Sequence, residues 1–317
     1  IVGAIAAVGA AIGAATGAAY ELLVGGSGFL SGTLARRAVA QGHHVWAVTR
    51  GQRDLPDGVT GITANRHEGD AFQQAVTGVG MEWDLVVDCI GYDPADAKQD
   101  IAVFRDLTPH FVFVSTDFLF DPAHRTFPQP EESDHYLTND TYGAKKRRCE
   151  LEILNGDTGN MAWAVVRPCH IYGPGSLLGC LPLHSRDQEL IAKLKAGEPL
   201  QLVGGGHFLQ QPILARDLSD LILSFHGNKQ TYGEIFCAAG PDIIESKEYY
   251  AIIARVLDAP QPKIEEVPVS RHLAEHPQSV SFACHRIYSL DKLESSGVSV
   301  PSTSVEQGLR EHVESLL

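Results

Sequence analysis

Tyr142-Gly-Ala-Lys-Lys146 sets a tyrosine and a lysine four residues apart. On a helix that spacing puts both side chains on one face. An ammonium beside a phenol favours the phenolate and lowers the tyrosine pKa. Tyr142 then serves as general acid/base near neutral pH, with Lys146 as its electrostatic partner. Upstream, the run His110-Phe-Val-Phe-Val114 ends in Ser115-Thr116-Asp117, which places Thr116 to orient the same substrate oxygen. Tyr-x-x-x-Lys also arises by chance. Lys145, Lys146, Arg147 and Arg148 form one basic run that, alone, reads as a solvated helix start. A second motif decides between the two readings.

That motif is Leu23-Val-Gly25-Gly26-Ser27-Gly28-Phe29-Leu30-Ser31-Gly32. It lies between the apolar run Glu21–Val24, a buried strand, and Phe29–Gln41, whose Leu30, Leu34, Ala35 and Val39 recur at helical spacing. Amides at a helix N-terminus bind pyrophosphate, and glycines let the backbone come close. The flanking strand and helix are the context such a loop requires.

The elements that hold these residues alternate. Strands are expected at His44–Thr49, Val59–Thr63, Asp84–Asp88 and His110–Val114, with helices at Ala71–Val76 and Pro94–Leu107. Strands separated by helices imply right-handed βαβ units and a parallel sheet, with ligands at the carboxyl ends of the strands. After Pro168 the pattern loosens. Helices at Asp187–Ala196, Asp217–His226, Lys247–Leu257 and Thr303–Leu317 are broken apart by Pro, Gly and His. The expected fold is α/β: a Rossmann-like doubly wound parallel sheet with a smaller C-terminal α/β substrate lobe. The division is 1–19, an Ala/Gly-rich extension; 20–168, the nucleotide-binding domain; and 169–317, a lobe that returns in part to the sheet.

Composition sets limits on partners. The chain has 317 residues, 44% of them apolar, enough to bury a large core. Its 39 acidic and 25 basic side chains leave a net charge of −14, which repels nucleic acid and anionic membranes. Six cysteines without a C-x-x-C pair suit a reduced, cytoplasmic protein, and no Cys/His cluster has metal-ligand spacing. Residues 1–19 carry no charge, and Gly9, Gly13 and Gly17 recur at the spacing of packed membrane helices. Alanine and glycine give little transfer energy, so a packed or loosely ordered extension is expected rather than a membrane anchor.

From about Tyr20 onward the chain resembles the extended short-chain dehydrogenase/reductase family, in its NAD-dependent epimerase/dehydratase group. The resemblance rests on the glycine loop, the Ser115-Thr116-Asp117 strand end, the Tyr142/Lys146 pair and Arg167-Pro168-Cys-His-Ile-Tyr-Gly-Pro-Gly175. It implies a bound NAD or NADP, a sugar-like substrate with nucleotide sugars among the candidates, and a homodimer. It makes Thr116, Tyr142 and Lys146 catalytic. It assigns Gly25, Ser27, Gly28, Phe29, Leu30, Thr49, Arg50, Asn65, Arg66, Cys89, Ile90, Gly91 and Pro168 to the cofactor, together with Tyr142 and Lys146. Asp117, His170, His207, Gln210 and Gln211 are its substrate candidates.

The chain departs from the family pattern at four places. Ser31 stands where a third loop glycine is usual. Arg50 ends the second strand where NAD-preferring members carry an acid, which favours NADP. Phe118 replaces the glutamate of the dehydratases, and the strand end resembles the dTDP-4-dehydrorhamnose reductase branch. His170 replaces an asparagine, and no diphosphate-binding arginine is evident near Phe208–Pro212. Two functions stay open: an epimerase or reductase, or an atypical member acting as a redox sensor or RNA-associated protein.

Overall fold

The computed structural model describes residues 17–317. Most of the 1–19 extension therefore lies outside the described residues. Its last residue, Ala19, is buried and donates its amide to His43 Nδ1 at 3.1 Å. No helix among the described residues is long and apolar enough to cross a membrane.

Seven parallel strands form the central sheet. Along the chain these are β1 (Tyr20–Val24), β2 (His44–Thr49), β3 (Val59–Thr63), β4 (Leu85–Asp88), β5 (His110–Val114) and β6 (Ala162–Pro168), and after the shorter β7 to β10 comes β11 (Glu234–Ala238). Their spatial order is β11-β6-β5-β4-β1-β2-β3. The order reverses between β1 and β4, the switch point where a doubly wound sheet opens its ligand crevice. The expected doubly wound α/β fold is what the chain adopts.

Alternation along each strand builds two cores. Leu23 and Val112 face a layer with Leu34, Ile222 and Phe236, while Leu22, Val24 and Phe111 face one with Phe72, Phe104 and Ile153. The helices covering these layers are α1 (Phe29–Ala40), α2 (Gly69–Thr77), α3 (Pro94–Phe104), α4 (Tyr142–Asn155) and, after α5 (Leu190–Ala196), α6 (Ala215–Leu223). The helix bounds differ from expectation by a turn or less: α3 stops at Phe104 because Arg105–Leu107 form a turn. Strands β6 and β11 escaped the periodicity reading. Both are short apolar runs buried among neighbours, which alternation cannot separate from helix.

A third core surrounds Tyr172, Leu194, Leu200, Tyr249, Ile253 and Leu309. It belongs to a lobe of short strands: β7 (Ile171–Tyr172) with β10 (Ile213–Leu214), β8 (Leu200–Val203) with β13 (Ile264–Val267), and β9 (Leu209–Gln210) with β12 (Ile244–Glu245). This lobe stands over the carboxyl ends of β4 to β6.

Candidate active site

The glycine loop turns from β1 into α1 as expected. Gly25 and Gly26 have φ of +110° and +130°, and a Cβ on Gly26 would lie 2.5 Å from the Ala47 Cβ. Only glycine fits there. Ser31 replaces the usual third glycine without cost: its Oγ accepts the Gly28 amide at 3.1 Å and closes the first turn. Gly32 one step later lets the helix approach the loop, its absent Cβ falling 3.4 Å from the Gly26 carbonyl oxygen.

Two cavities flank this loop. One, of about 430 Å³, is lined by Gly25, Ser27, Gly28, Thr49, Arg50, Arg53, Asn65, Arg66, Ile90 and Tyr92. The other, of about 360 Å³, is lined by Gly28, Phe29, Leu30, Cys89, Ile90, Thr116, Asp117, Tyr142, Lys146, Pro168 and His170. Gly28, Ser31, Ile90 and Tyr92 border both, so the two form one crevice across the switch point. Among all these lining residues Asp117 is the one carboxylate, in a chain with 39.

Helix α4 delivers Tyr142 at its first residue, after Thr141 as N-cap. Gly143 makes this possible. A Cβ there would sit 2.1 Å from the Phe118 carbonyl oxygen, so α4 begins in direct contact with the turn after β5. That turn holds Thr116, whose Oγ1 accepts the Phe118 amide at 3.3 Å and donates to Asp117 Oδ1 at a long 3.5 Å, a proton that a closer substrate oxygen would take over. Thr116 and Tyr142 thus reach the same cavity from adjoining elements.

Lys146 behaves differently from the sequence expectation. It is 1% exposed and donates to Gly91 O at 2.7 Å and Val114 O at 2.5 Å, with Phe113's ring 4.1 Å away. Burial lowers its pKa, opposed by the charge of Asp88. An ammonium has three protons, so one remains free. Tyr142 is 46% exposed, and its pKa is raised rather than lowered: partial desolvation is the main cause, then Tyr92 and Asp117. The lysine's charge is turned toward carbonyls and Asp88, not toward the phenol.

Other candidates divide. Arg66 lies under the first cavity, 6% exposed, bound to Asp88 (2.9 Å), Asp96 (3.2 Å) and Asp100 (3.0 Å). Its guanidinium is engaged by three carboxylates while the residue still lines the first cavity. Burial and Asp88 push Asp100 well up. Asn65 is held by Glu68 at 3.1 Å. Arg50 and Arg53 form no ion pair among the described residues. Gly91 contributes its carbonyl to Lys146, and a Cβ there would strike Asp88.

On the substrate side, His170 borders the cavity with an unpartnered Nε2, and burial pushes its pKa down to about 3, so it is neutral. Asp117 is 1% exposed. Its Oδ2 accepts from Tyr288 Oη at 2.5 Å and faces Arg286 at 3.5 Å, so it ties the strand end to the C-terminal lobe. His207, Gln210 and Gln211 are not brought to the crevice. His207 pairs with Glu245 at 2.8 Å on the surface. Gln210 bridges Ser246 and Arg286, and Gln211 bridges Gly240 O and the Tyr288 amide. Polarity alone could not show that these amides are spent on structure. Sequence reasoning passed over Tyr92, whose ring centroid lies 6.2 Å from that of Tyr142, and Arg186 at the cavity mouth. Neither stands in a motif.

The sequence model described as the NAD dependent epimerase/dehydratase family matches residues 22–238. A curated relative, the chloroplast stem-loop binding protein of 41 kDa b of Arabidopsis thaliana, is 24% identical over 264 residues, covering 77% of this chain. The chain spans 64% of that relative's length. An epimerase of Methanothermobacter thermautotrophicus superposes with a TM-score of 0.79 at 14% identity, over 96% of this chain and 94% of that one. The dTDP-glucose 4,6-dehydratase of Bacillus anthracis, solved with NAD, gives 0.75 at 16% identity, over 94% and 96%.

Proposed function

The chain belongs to the NAD-dependent epimerase/dehydratase family, and from that premise we propose that it is an NAD(P)-dependent epimerase or reductase acting on a carbinol or ketone of a sugar-like substrate. The observation that carries this reading is the shared cavity of Thr116, Tyr142 and Lys146, opening onto the glycine loop. The crevice suits a dinucleotide: its amides, its glycine floor and its near lack of carboxylates all favour a pyrophosphate. The nicotinamide would accept and return a hydride.

This chain's own residues do the rest. Tyr142 gives a proton to, or takes it from, the reacting oxygen. Thr116 donates to the same oxygen and fixes its lone pairs. The third proton of Lys146 is available to a ribose hydroxyl, so this lysine places the cofactor more than it tunes the phenol. Phe118 packs against Tyr142 and Phe282 where the dehydratases carry an acid, so this position offers no second proton donor for water loss. Arg50 and Arg53, unpaired at the end of β2, favour the 2′-phosphate of NADP.

The test is a single-turnover assay of cofactor absorbance against ketosugars and nucleotide sugars. Tyr142→Phe is expected to bind cofactor as the parent does and to lose turnover by about 10²–10⁴. Unchanged turnover removes Tyr142 from the chemistry.

The stem-loop binding relative favours a second reading, an RNA-associated protein. Against it stand the net charge of −14 and the placement of Thr116 and Tyr142. Titration with a labelled RNA hairpin at ~0.15 M salt, where phosphate contacts are screened but not abolished, separates the two. The enzyme reading expects no saturable binding.

A further inference from the structure

Charge is distributed unevenly around the second cavity. Of its three charged groups, two are already engaged: Lys146 by carbonyls, and Asp117 by Tyr288 and Arg286, itself buried. Arg186 remains. It lines the cavity mouth with Ser176 and Ser185, and it makes no ion pair or side-chain hydrogen bond among the described residues.

Its backbone is held in an unfavourable place. Arg186 has φ of +54°, one of two non-glycine residues so placed among the described residues. Such a conformation costs of order 1 kcal/mol and persists only where neighbours impose it. They do. The Asp187 amide donates to Leu178 O at 3.0 Å, and the Asp187 carboxylate binds His184 at 2.9 Å and Lys193 at 3.2 Å. Gly179 packs so tightly on His184 that a Cβ would overlap its carbonyl oxygen. The clamp engages the adjacent Asp187 carboxylate, and the guanidinium stays unpaired at the cavity. His170, with Nε2 unpartnered, sits within the field of Arg186 and Arg286.

We infer that Arg186 reads an anionic group, a carboxylate or phosphate, carried by the sugar moiety of the substrate beside Tyr92 and Tyr142. This rests on the proposed function, because it takes the second cavity as the substrate's. A guanidinium forks onto either anion through paired N–H donors. A neutral sugar would leave that fork to water.

Calorimetry on the NADPH-saturated protein tests it, with UDP-glucose and UDP-glucuronate as a matched pair, UDP alone, and glucose 6-phosphate against glucose. An acidic probe is expected to bind about 10–100-fold tighter than its neutral twin. Arg186→Gln should erase that difference, and Arg186→Lys should restore part of it. Equal binding of the twins, or discrimination that survives Arg186→Gln, overturns the inference. So does an equal loss for UDP and UDP-glucose, which would put the nucleotide diphosphate at Arg186, or a weakened NADPH affinity, which would put the cofactor there. Binding of NADPH with no probe bound also rejects it. Failure of NADPH itself to bind would instead reject the parent reading.

Discussion

At the scale of single residues, a pair visible in the sequence acquired different partners in the fold. Tyr142 and Lys146 share a helix face, yet Lys146 spends two protons on Gly91 and Val114. Lys146→Met is therefore expected to weaken cofactor affinity by about 10-fold or more, the loss of a charged hydrogen bond, which a binding titration measures. Arg50→Ala should narrow the preference for NADPH over NADH to about equality; a ratio left unchanged would acquit Arg50. Glu21 supplies a pH prediction. It is 0% exposed, neither oxygen makes a hydrogen bond, His43 Nδ1 lies 3.4 Å from Oε1, and burial, then Asp84, pushes its pKa up to about 8. The folded state thus holds a proton that the unfolded state releases above its ordinary value of 4.5. Stability should fall as pH rises from there to about 8. Glu21→Gln should flatten that slope and gain at least about 1 kcal/mol at pH 8, read from urea melts.

At the scale of elements, the site depends on close approaches that glycine permits. Gly143→Ala must push α4 away from the Phe118 carbonyl, so it should cost about 1–3 kcal/mol of stability and displace Tyr142. Helix α4 is also locked from below: Arg167 forks onto Glu150 at 2.7 and 2.9 Å, and Ser115 donates to the same carboxylate at 2.6 Å. The glycine loop and the first five strands were legible because they are local patterns, a period of two or a run of glycines beside a strand. The partners of Arg66 and Gln211 come from distant segments, Asp88 to Asp100 and Gly240 to Tyr288, and no spacing in the chain announces them. That is why the ion pairs of Arg66 were not foreseen, and why Arg186, positioned by a clamp around Asp187, went unnoticed.

At the scale of the molecule, an acidic chain encloses a crevice with one carboxylate, and the second lobe closes over the end of the sheet where that crevice lies. An acidic chain thus surrounds a crevice nearly free of acid. The family relationship also brings an expectation of pairing, through the exposed face of α3 and α4 where Leu151 is 40% exposed. Sedimentation should give about twice the 34.2 kDa chain mass; a monomer would refute the pairing and leave the chemistry intact. Every step above requires this crevice to bind a nicotinamide dinucleotide. Fluorescence titration with NADPH and NADH tests it most directly, with Gly26→Ala as the control for the loop. Saturable one-to-one binding is expected, tighter for NADPH and lost in Gly26→Ala. Absence of saturable binding by either cofactor, in a protein shown to be folded, would contradict it.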